Sequence, residues 1–389
     1  MTRTPERAAI TLENWRTHPA SRWSFENACE LVPSAIISHG AAGAIAPTPP
    51  PGPLEEMLIP DRAGRDVVAT EALARRHTDS LLVLRDGKPL ASWSAPHSNF
   101  HAPHLIFSIS KSITGLAVGI AQGEGRLDPE AAVTDLVPSM GPSTYGSARL
   151  RHLLDMTVDL AFDEDYVDHG GAFDRYRRAM LWNPERPDTR PETMEAFLAT
   201  LPAEGHGHGK RFQYASPNSD LLGIALERAA GQRLPDYLGE RLWHPLGLSG
   251  PAYVTVDRVG TARAAGGICL TITDLAQIGQ LLLDGGRGSD GRQIVPAAWI
   301  DDMRENGDRR AWVEGDFADM FAQGRYRSCW YDVGDGRGTL AAIGIHGQYL
   351  WVDFSNRMVI ARTASRPQAS DDVETQDDIA MMAALARAF

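Results

Sequence analysis

The sequence predicts an α+β fold in which the two ends of the chain build one antiparallel sheet. Strand-like runs separated by short turns lie near both ends of the 389-residue chain: 80–85, 88–93, 339–345, 349–353 and 358–363. Between residues 121 and 264 the signals are mostly helical, with proline and glycine between the helices. Because strands and helices do not alternate, a doubly wound parallel sheet is not expected.

Three regions follow from this pattern. Prolines between residues 47 and 60 break regular structure near the amino end, which indicates an extension that wraps the body of the protein. The predicted regions are an extension packed on the body at 1–74, an α/β region with the antiparallel sheet at 75–120 and 265–389, and a mainly helical region at 121–264. The active site is expected between the last two.

Apolar residues at helical spacing predict a series of helices along the chain. The first runs from about Ser108 to Gly123, with Ile109, Ile113 and Leu116 on one face. Further helices are expected near 149–156, 173–182, 191–201, 217–230, 234–243, 273–284, 296–304 and 377–389.

Composition narrows the class of function. The net charge of -12 argues against nucleic acid or an anionic membrane as a partner, and no segment has the length of a membrane span. Three widely spaced cysteines, Cys29, Cys269 and Cys329, fit reduced thiols better than a disulfide framework. Since no secretory signal is apparent either, we expect a cytoplasmic protein that acts on a small molecule.

A Ser-x-x-Lys sequence begins the first helix. Ser108 and Lys111 lie three positions apart, so their side chains share one helix face and the lysine amine can reach the serine hydroxyl. A buried lysine with a lowered pKa can take the proton of a serine, which makes the serine a nucleophile. The unpaired N–H groups of the first turn would favour an oxyanion beside Ser108.

A second polar group can relay the proton to the leaving group. Tyr214 stands just before a predicted helix and is a candidate for this role, provided that the nearby cation lowers its pKa. No metal site is predicted, because His206 and His208 lie in a glycine-rich loop that has no third ligand nearby.

Several motifs in order along the chain carry a family resemblance: Ser108-Ile-Ser-Lys111, Arg126-Leu-Asp-Pro129, Arg151-His-Leu-Leu-Asp-Met156, Tyr214-Ala-Ser216, Gly266-Gly267 and Leu281-Leu-Leu-Asp-Gly-Gly286. The chain resembles the penicillin-recognising serine hydrolases of the class C β-lactamase type, which include D-alanyl-D-alanine peptidases and family VIII carboxylesterases. The resemblance implies a β-lactamase/DD-peptidase-like fold and no cofactor. A homodimer is compatible with it.

The chain also resembles one group within this family, the 6-aminohexanoate-dimer hydrolases. The likeness lies in the segments 164–168, 212–214 and 344–348, and it extends to Asn14-Trp15. It implies that Ser108 is the nucleophile, Lys111 the base and Tyr214 the proton shuttle. It also implies an oxyanion site between the N–H groups of Ser108 and Ile345, and a contact of Tyr166 with the substrate amide or leaving group.

Departures from the family pattern bear on the substrate. The usual Lys-Thr-Gly or His-Thr-Gly motif is replaced by Ile343-Gly-Ile-His-Gly-Gln348, so His346 would have to supply the cation that grips a β-lactam carboxylate, unless it is structural. Ala265 offers no polar side chain where the 6-aminohexanoate-dimer hydrolases, which act on nylon oligomers, can carry one. Residues 174–178 are locally basic, whereas an acidic residue would help to bind the ammonium end of the nylon dimer.

The sequence therefore predicts a serine hydrolase of carboxylic esters, amides or both. Ester cleavage is favoured over cleavage of the linear nylon dimer. Alternatives are a D-amino-acid peptidase or amidase, a weak β-lactamase, and a catalytically silent penicillin-recognising binding protein.

Overall fold

A computed structural model describes residues 5–39, 48–164 and 170–389. The predicted substrate contact Tyr166 lies outside these residues. None of the helices in the described ranges is both long and apolar enough to cross a membrane.

The strands are numbered here along the chain: β1 (Ser34–Ile36), β2 (Leu58–Pro60), β3 (Asp66–Val68), β4 (Thr78–Arg85), β5 (Lys88–Ser94), β6 (His104–Leu105), β7 (Tyr253–Thr255), β8 (Ile268–Leu270), β9 (Arg325–Arg327), β10 (Trp330–Asp332), β11 (Leu340–Gly344), β12 (Gln348–Asp353) and β13 (Met358–Ala364).

The α-helices are numbered in the same way: α1 (Ser21–Ser24), α2 (Ala69–Arg75), α3 (Ile109–Gly123), α4 (Val133–Leu136), α5 (Leu150–Leu154), α6 (Ala172–Ala179), α7 (Met194–Leu198), α8 (Ser216–Ala230), α9 (Leu234–Leu238), α10 (His244–Leu246), α11 (Ile272–Leu283), α12 (Ala297–Glu305), α13 (Arg309–Val313) and α14 (Asp372–Ala388).

The main sheet is antiparallel throughout and has the order β5-β4-β13-β12-β11-β10-β9. Within it, β4, from the first third of the chain, pairs with β13, near the carboxyl end, so the two ends of the chain build the sheet together as the sequence predicts. The strands β9 and β10 at one edge are absent from the sequence prediction. Each has only three residues, and Ser328 and Cys329 between them adopt left-handed backbone conformations that carry no glycine signal.

A second sheet, in the order β1-β7-β8-β6, crosses the predicted regional boundaries. Its edge strand β1 comes from the extension and pairs with β7, which lies within the region predicted to be mainly helical. At its other edge, β6 pairs with β8 immediately before the Ser108 segment. This sheet therefore fixes the chain that enters α3.

Helix α3 runs through the core, and its residues from Ile109 to Ala121 are all buried. Gly115 allows this depth, because a Cβ atom there would lie 2.4 Å from the carbonyl oxygen of Ser328. The helix packs against α8 on one side and against β11 and β12 on the other. Its amino end consequently meets the carboxyl end of β11, where Ile345 follows.

Candidate active site

Ser108 lies at the amino end of α3, held by the second sheet. Just before it, the N–H of Ile106 donates to the carbonyl oxygen of Ile268 in β8 at 3.1 Å. Phe107 has φ 44°, a left-handed conformation that is unfavourable for a bulky side chain and persists only where packing enforces it. Ser108 itself lines the large cleft described below.

Lys111 has three oxygen partners and almost no solvent contact. Its Nζ lies 2.8 Å from Ser108 Oγ, 2.9 Å from Ser216 Oγ and 2.8 Å from the carbonyl oxygen of Ala265. Burial, helped by the positive charge of Arg263, lowers the pKa of Lys111 to about 8, although Glu164 acts in the opposite direction. A neutral amine is therefore accessible near neutral pH, as a general base requires.

The three partners also fix the direction of the lysine lone pair. The carbonyl of Ala265 can only accept a hydrogen bond, so it takes one N–H of the neutral amine. The second N–H can go to Ser216, which leaves the lone pair for the hydroxyl proton of Ser108. Ala265 thus serves the site through its backbone and needs no polar side chain.

A buried ionic network holds the Ala265 segment in place. Asp220 accepts the N–H of Ala265 at 2.7 Å through one oxygen, and its other oxygen pairs with Arg263. Arg263 also donates to the hydroxyl of Tyr176 at 2.6 Å, and that hydroxyl donates to Asp220. Among the described residues, this network connects Arg263 through Asp220 to Ala265, whose carbonyl oxygen accepts the hydrogen bond from Lys111.

Tyr214 faces the nucleophile from the start of α8. Its ring centroid lies 5.0 Å from Lys111 Nζ, and Tyr214 and Ser108 line the same cleft. Burial raises its pKa well above the ordinary value, and Glu164 raises it further. The expectation that the cation lowers this pKa is therefore wrong, because desolvation outweighs the cation. Tyr214 is a neutral phenol, able to donate a proton.

Ile345 lies directly after β11 and lines the cleft beside Ser108. Gly344 permits this approach, because a Cβ atom at that position would lie 2.6 Å from the carbonyl oxygen of Ile106. Among the described residues, the backbone N–H groups of Ser108 and Ile345 have no protein acceptor. Both donors are thus available at one end of the cleft.

His346 lies behind the cleft and cannot supply a cation there. It is buried, and its Nδ1–H donates to the carbonyl oxygen of Arg366 at 2.7 Å. Burial lowers the pKa of His346 to about 3, so the ring is neutral at physiological pH. Of the two roles left open for this residue, the structural one agrees with its contacts.

The cleft in front of Ser108 has a volume of about 1090 Å³. Apolar and aromatic side chains form much of its wall: Leu160, Phe162, Phe173, Phe317, Met320 and Ile343. Its charged rim is mainly acidic, with four carboxylates and two arginines: Asp163, Glu164, Glu204, Asp316, Arg211 and Arg366. Each of the two arginines pairs with a carboxylate, Arg211 with Asp316 and Arg366 with Asp378. A neutral or cationic substrate suits this charge balance.

The basic run at 174–178 does not make the cleft positively charged, because two of its arginines pair with carboxylates. Arg175 pairs with Glu192 at 2.6 Å, and Arg178 pairs with Asp174 at 3.2 Å. Arg177 stacks on Phe173 and lines a separate cavity of about 30 Å³ beside Ser108.

The structure brings five of the sequence-predicted residues to one end of the cleft: Ser108, Lys111, Tyr214, Ile345 and Ala265. Ser216, Glu164, Asp220 and Arg263 also belong to the site but are absent from the predicted site residues. Ser216 had a signal, since it is the third residue of the Tyr-x-Ser motif. Glu164 lies in an acidic run, whereas Asp220 and Arg263 reach the site only through the fold.

Comparison with known proteins identifies the family. The model of the family described as Beta-lactamase matches residues 66–384. The chain belongs to the Beta-lactamase family. It is also 36% identical over 358 residues to the 6-aminohexanoate-dimer hydrolase of Paenarthrobacter ureafaciens, an alignment that covers 92% of this chain and 88% of that protein. The chain is thus an enzyme of the serine hydrolase class.

Solved structures support the same fold. A protein from Bacillus anthracis, named as a proposed 6-aminohexanoate-dimer hydrolase, matches with a TM-score of 0.87 at 22% identity over 98% of this chain and 97% of that chain. A family VIII carboxylesterase matches with a TM-score of 0.55 at 12% identity, covering 82% and 96% of the two chains. The predicted fold class is confirmed.

Proposed function

We propose that the protein hydrolyses carboxylic esters and linear amides through an acyl-enzyme on Ser108. One observation carries the proposal: Lys111 Nζ lies 2.8 Å from Ser108 Oγ at the end of a large cleft, with its lone pair free for the serine proton. The lowered pKa of Lys111 makes the neutral base accessible near neutral pH.

In the acylation step, Ser108 Oγ attacks the substrate carbonyl carbon while Lys111 takes the hydroxyl proton. The carbonyl oxygen becomes an oxyanion and accepts hydrogen bonds from the N–H groups of Ser108 and Ile345. One such donor is typically worth about 3–4 kcal/mol of barrier. The tetrahedral intermediate then collapses, the bond to the leaving group breaks, and the leaving group takes a proton.

Tyr214 passes that proton on. Its neutral hydroxyl donates to the departing amine or alkoxide and is reprotonated from Lys111, whose Nζ lies under the tyrosine ring. Water then attacks the acyl group on Ser108 by the reverse path, with Tyr214 and Lys111 accepting its proton. The products are a carboxylic acid and an alcohol or amine, and the free enzyme is restored.

The charge of the cleft favours one group of substrates. An acidic rim would repel a substrate carboxylate and attract an ammonium group. This speaks against β-lactams, which carry a carboxylate, since His346 is neutral and supplies no cation. It favours neutral short-chain esters, and amides whose ammonium end lies toward the acidic rim. The dimer in the relative's name has an ammonium at one end and a carboxylate at the other, so it suits the cleft only with its carboxylate away from that rim.

The proposal is tested by steady-state hydrolysis of p-nitrophenyl butyrate, the linear 6-aminohexanoate dimer and a chromogenic cephalosporin, with wild type and Ser108→Ala side by side. We expect wild type to cleave the ester and the dimer, with little turnover of the cephalosporin, and the variant to cleave none. Equal ester hydrolysis by the variant would refute the nucleophile. A stable adduct on Ser108 without turnover would instead support a silent binding protein.

We also propose a reducing, cytoplasmic location, with a small molecule as the partner. Cys269 and Cys329 are buried free thiols, and burial raises the pKa of each. Titration of thiols in freshly lysed cells tests this proposal, since three free thiols per chain are expected after unfolding. Size-exclusion chromatography with light scattering tests the homodimer.

A further inference from the structure

The amino-terminal segment places one aromatic ring against the side chains of two residues that adjoin the proposed oxyanion donors. Phe25 is fully buried, and its ring centroid lies 4.8 Å from that of Phe107 and 5.0 Å from that of His346. The rings of Phe107 and His346 lie 5.2 Å apart, so the three rings close a triangle. Phe107 immediately precedes the donor Ser108, and His346 immediately follows the donor Ile345.

Both residues that Phe25 contacts have left-handed backbones, with φ 44° at Phe107 and φ 62° at His346. Residues other than glycine avoid this region unless the surrounding structure holds them there. The peptide group that carries the N–H of Ser108 adjoins Phe107 directly. The peptide group that carries the N–H of Ile345 joins Gly344 to Ile345 and is one residue removed from His346. The packing of one ring against both side chains therefore acts on the peptide of Ser108 directly and on the peptide of Ile345 through the backbone of Ile345.

The segment is tied to this position by backbone and side-chain contacts. The N–H of Leu105 in β6 donates to the carbonyl oxygen of Phe25 at 2.7 Å, three residues before Ser108. The next residue, Glu26, accepts hydrogen bonds from the hydroxyl of Ser98 at 2.6 Å and from the N–H of Asn99 at 3.0 Å. Phe25 is thus anchored through its own carbonyl oxygen and through the side chain of the next residue.

We propose that Phe25 is a positioning residue for the hydrolase reaction: its ring, between Phe107 and His346, holds the N–H groups of Ser108 and Ile345 at the separation that the tetrahedral intermediate requires. The family match begins at residue 66, so this assigns a catalytic contribution to a segment outside the family domain. The proposal rests on the proposed function, because it needs a carbonyl substrate on Ser108.

Phe25→Leu and the milder Phe25→Met test it, with Ile37→Ala as the matched control. Ile37 is fully buried in the same segment, and its N–H bonds to Ala252, outside the ring triangle. All three variants are assayed with p-nitrophenyl butyrate at least 15 °C below their own Tm, a margin of several times the few degrees that about 1 kcal/mol shifts Tm. We expect kcat to fall at least about tenfold in both Phe25 variants, with KM within about twofold, and kcat of Ile37→Ala to stay near wild type.

A second readout separates positioning from general loss of stability. A boronic acid that forms a tetrahedral adduct on Ser108 uses both donors, whereas a ground-state substrate does not. Its affinity should fall in the Phe25 variants by the same factor as kcat and remain unchanged in Ile37→Ala. The proposal is overturned if kcat of folded Phe25→Met stays within threefold of wild type, or if losses follow Tm equally in all three variants. Absence of activity in wild type would instead refute the proposed function.

Discussion

The Nζ atom of Lys111 donates to the carbonyl oxygen of Ala265 at 2.8 Å, and this contact orients the base. A carbonyl cannot give a proton, so the contact always occupies one N–H of the lysine and turns the lone pair of the neutral amine toward the hydroxyls. The N–H of Ala265 in turn donates to Asp220 at 2.7 Å. An alanine thereby connects the ionic network of Asp220 and Arg263 to the nucleophile.

Activity should rise with pH through the pKa of Lys111. The base acts only when it is neutral, and its pKa is about 8, so kcat/KM should fall about tenfold per pH unit below pH 8 and level off above it. The measurement is kcat/KM for an activated ester between pH 5.5 and 9.5. A flat profile between pH 6 and 8 would contradict the assignment of the base.

Glu164→Gln should move this profile to lower pH. The carboxylate of Glu164 favours the ammonium form of Lys111, so its removal lowers the lysine pKa, by about one unit for a nearby opposite charge. The glutamine oxygen can still accept the N–H of Ser216, which bonds to Glu164 in the wild type. The control is Glu204→Gln, another acid on the cleft wall, which should leave the profile in place. A shift toward higher pH would be inconsistent with this electrostatic role.

Tyr214→Phe should slow amides more than activated esters. An amine leaving group needs the proton of the phenol, whereas p-nitrophenolate leaves without one, and a general acid contributes about 100- to 10,000-fold. The ratio of kcat/KM for the 6-aminohexanoate dimer to that for p-nitrophenyl butyrate measures the effect. Tyr349→Phe, in the same cleft, is the control and should preserve the ratio. Equal losses on both substrates would argue against proton donation.

Gly344→Ala should weaken the oxyanion site. The added Cβ would lie 2.6 Å from the carbonyl oxygen of Ile106 and push the N–H of Ile345 away from Ser108. Losing one donor typically lowers kcat about 100- to 1,000-fold, with a smaller effect on KM. Gly141→Ala is the matched control, because its Cβ would meet its nearest atom at 3.4 Å. Unchanged kcat in folded Gly344→Ala would exclude this donor.

The sequence by itself determined the parts of the site that are close in the chain. Ser108 and Lys111 lie one helical turn apart, so their proximity follows from local geometry. The hairpin of β4 and β5 and the strands β11 to β13 also have local signals, and together they predicted the main antiparallel sheet. The role of Tyr214 in the site was predicted from its Tyr-x-Ser motif and from the position of that motif after Ser-x-x-Lys in the chain.

Only the tertiary structure decided the protonation of Tyr214 and the contacts between distant segments. The apolar face of α3 already indicated a buried Lys111 with a lowered pKa, and the structure agrees. The high pKa of Tyr214 was not foreseen, because its desolvation depends on segments distant in the chain. The ring of Phe25 meets His346 because two sheets bring both segments to one place. The physical reason is common to all of these cases: burial and long-range packing depend on the whole fold, whereas helix spacing and turns depend on a few adjacent residues.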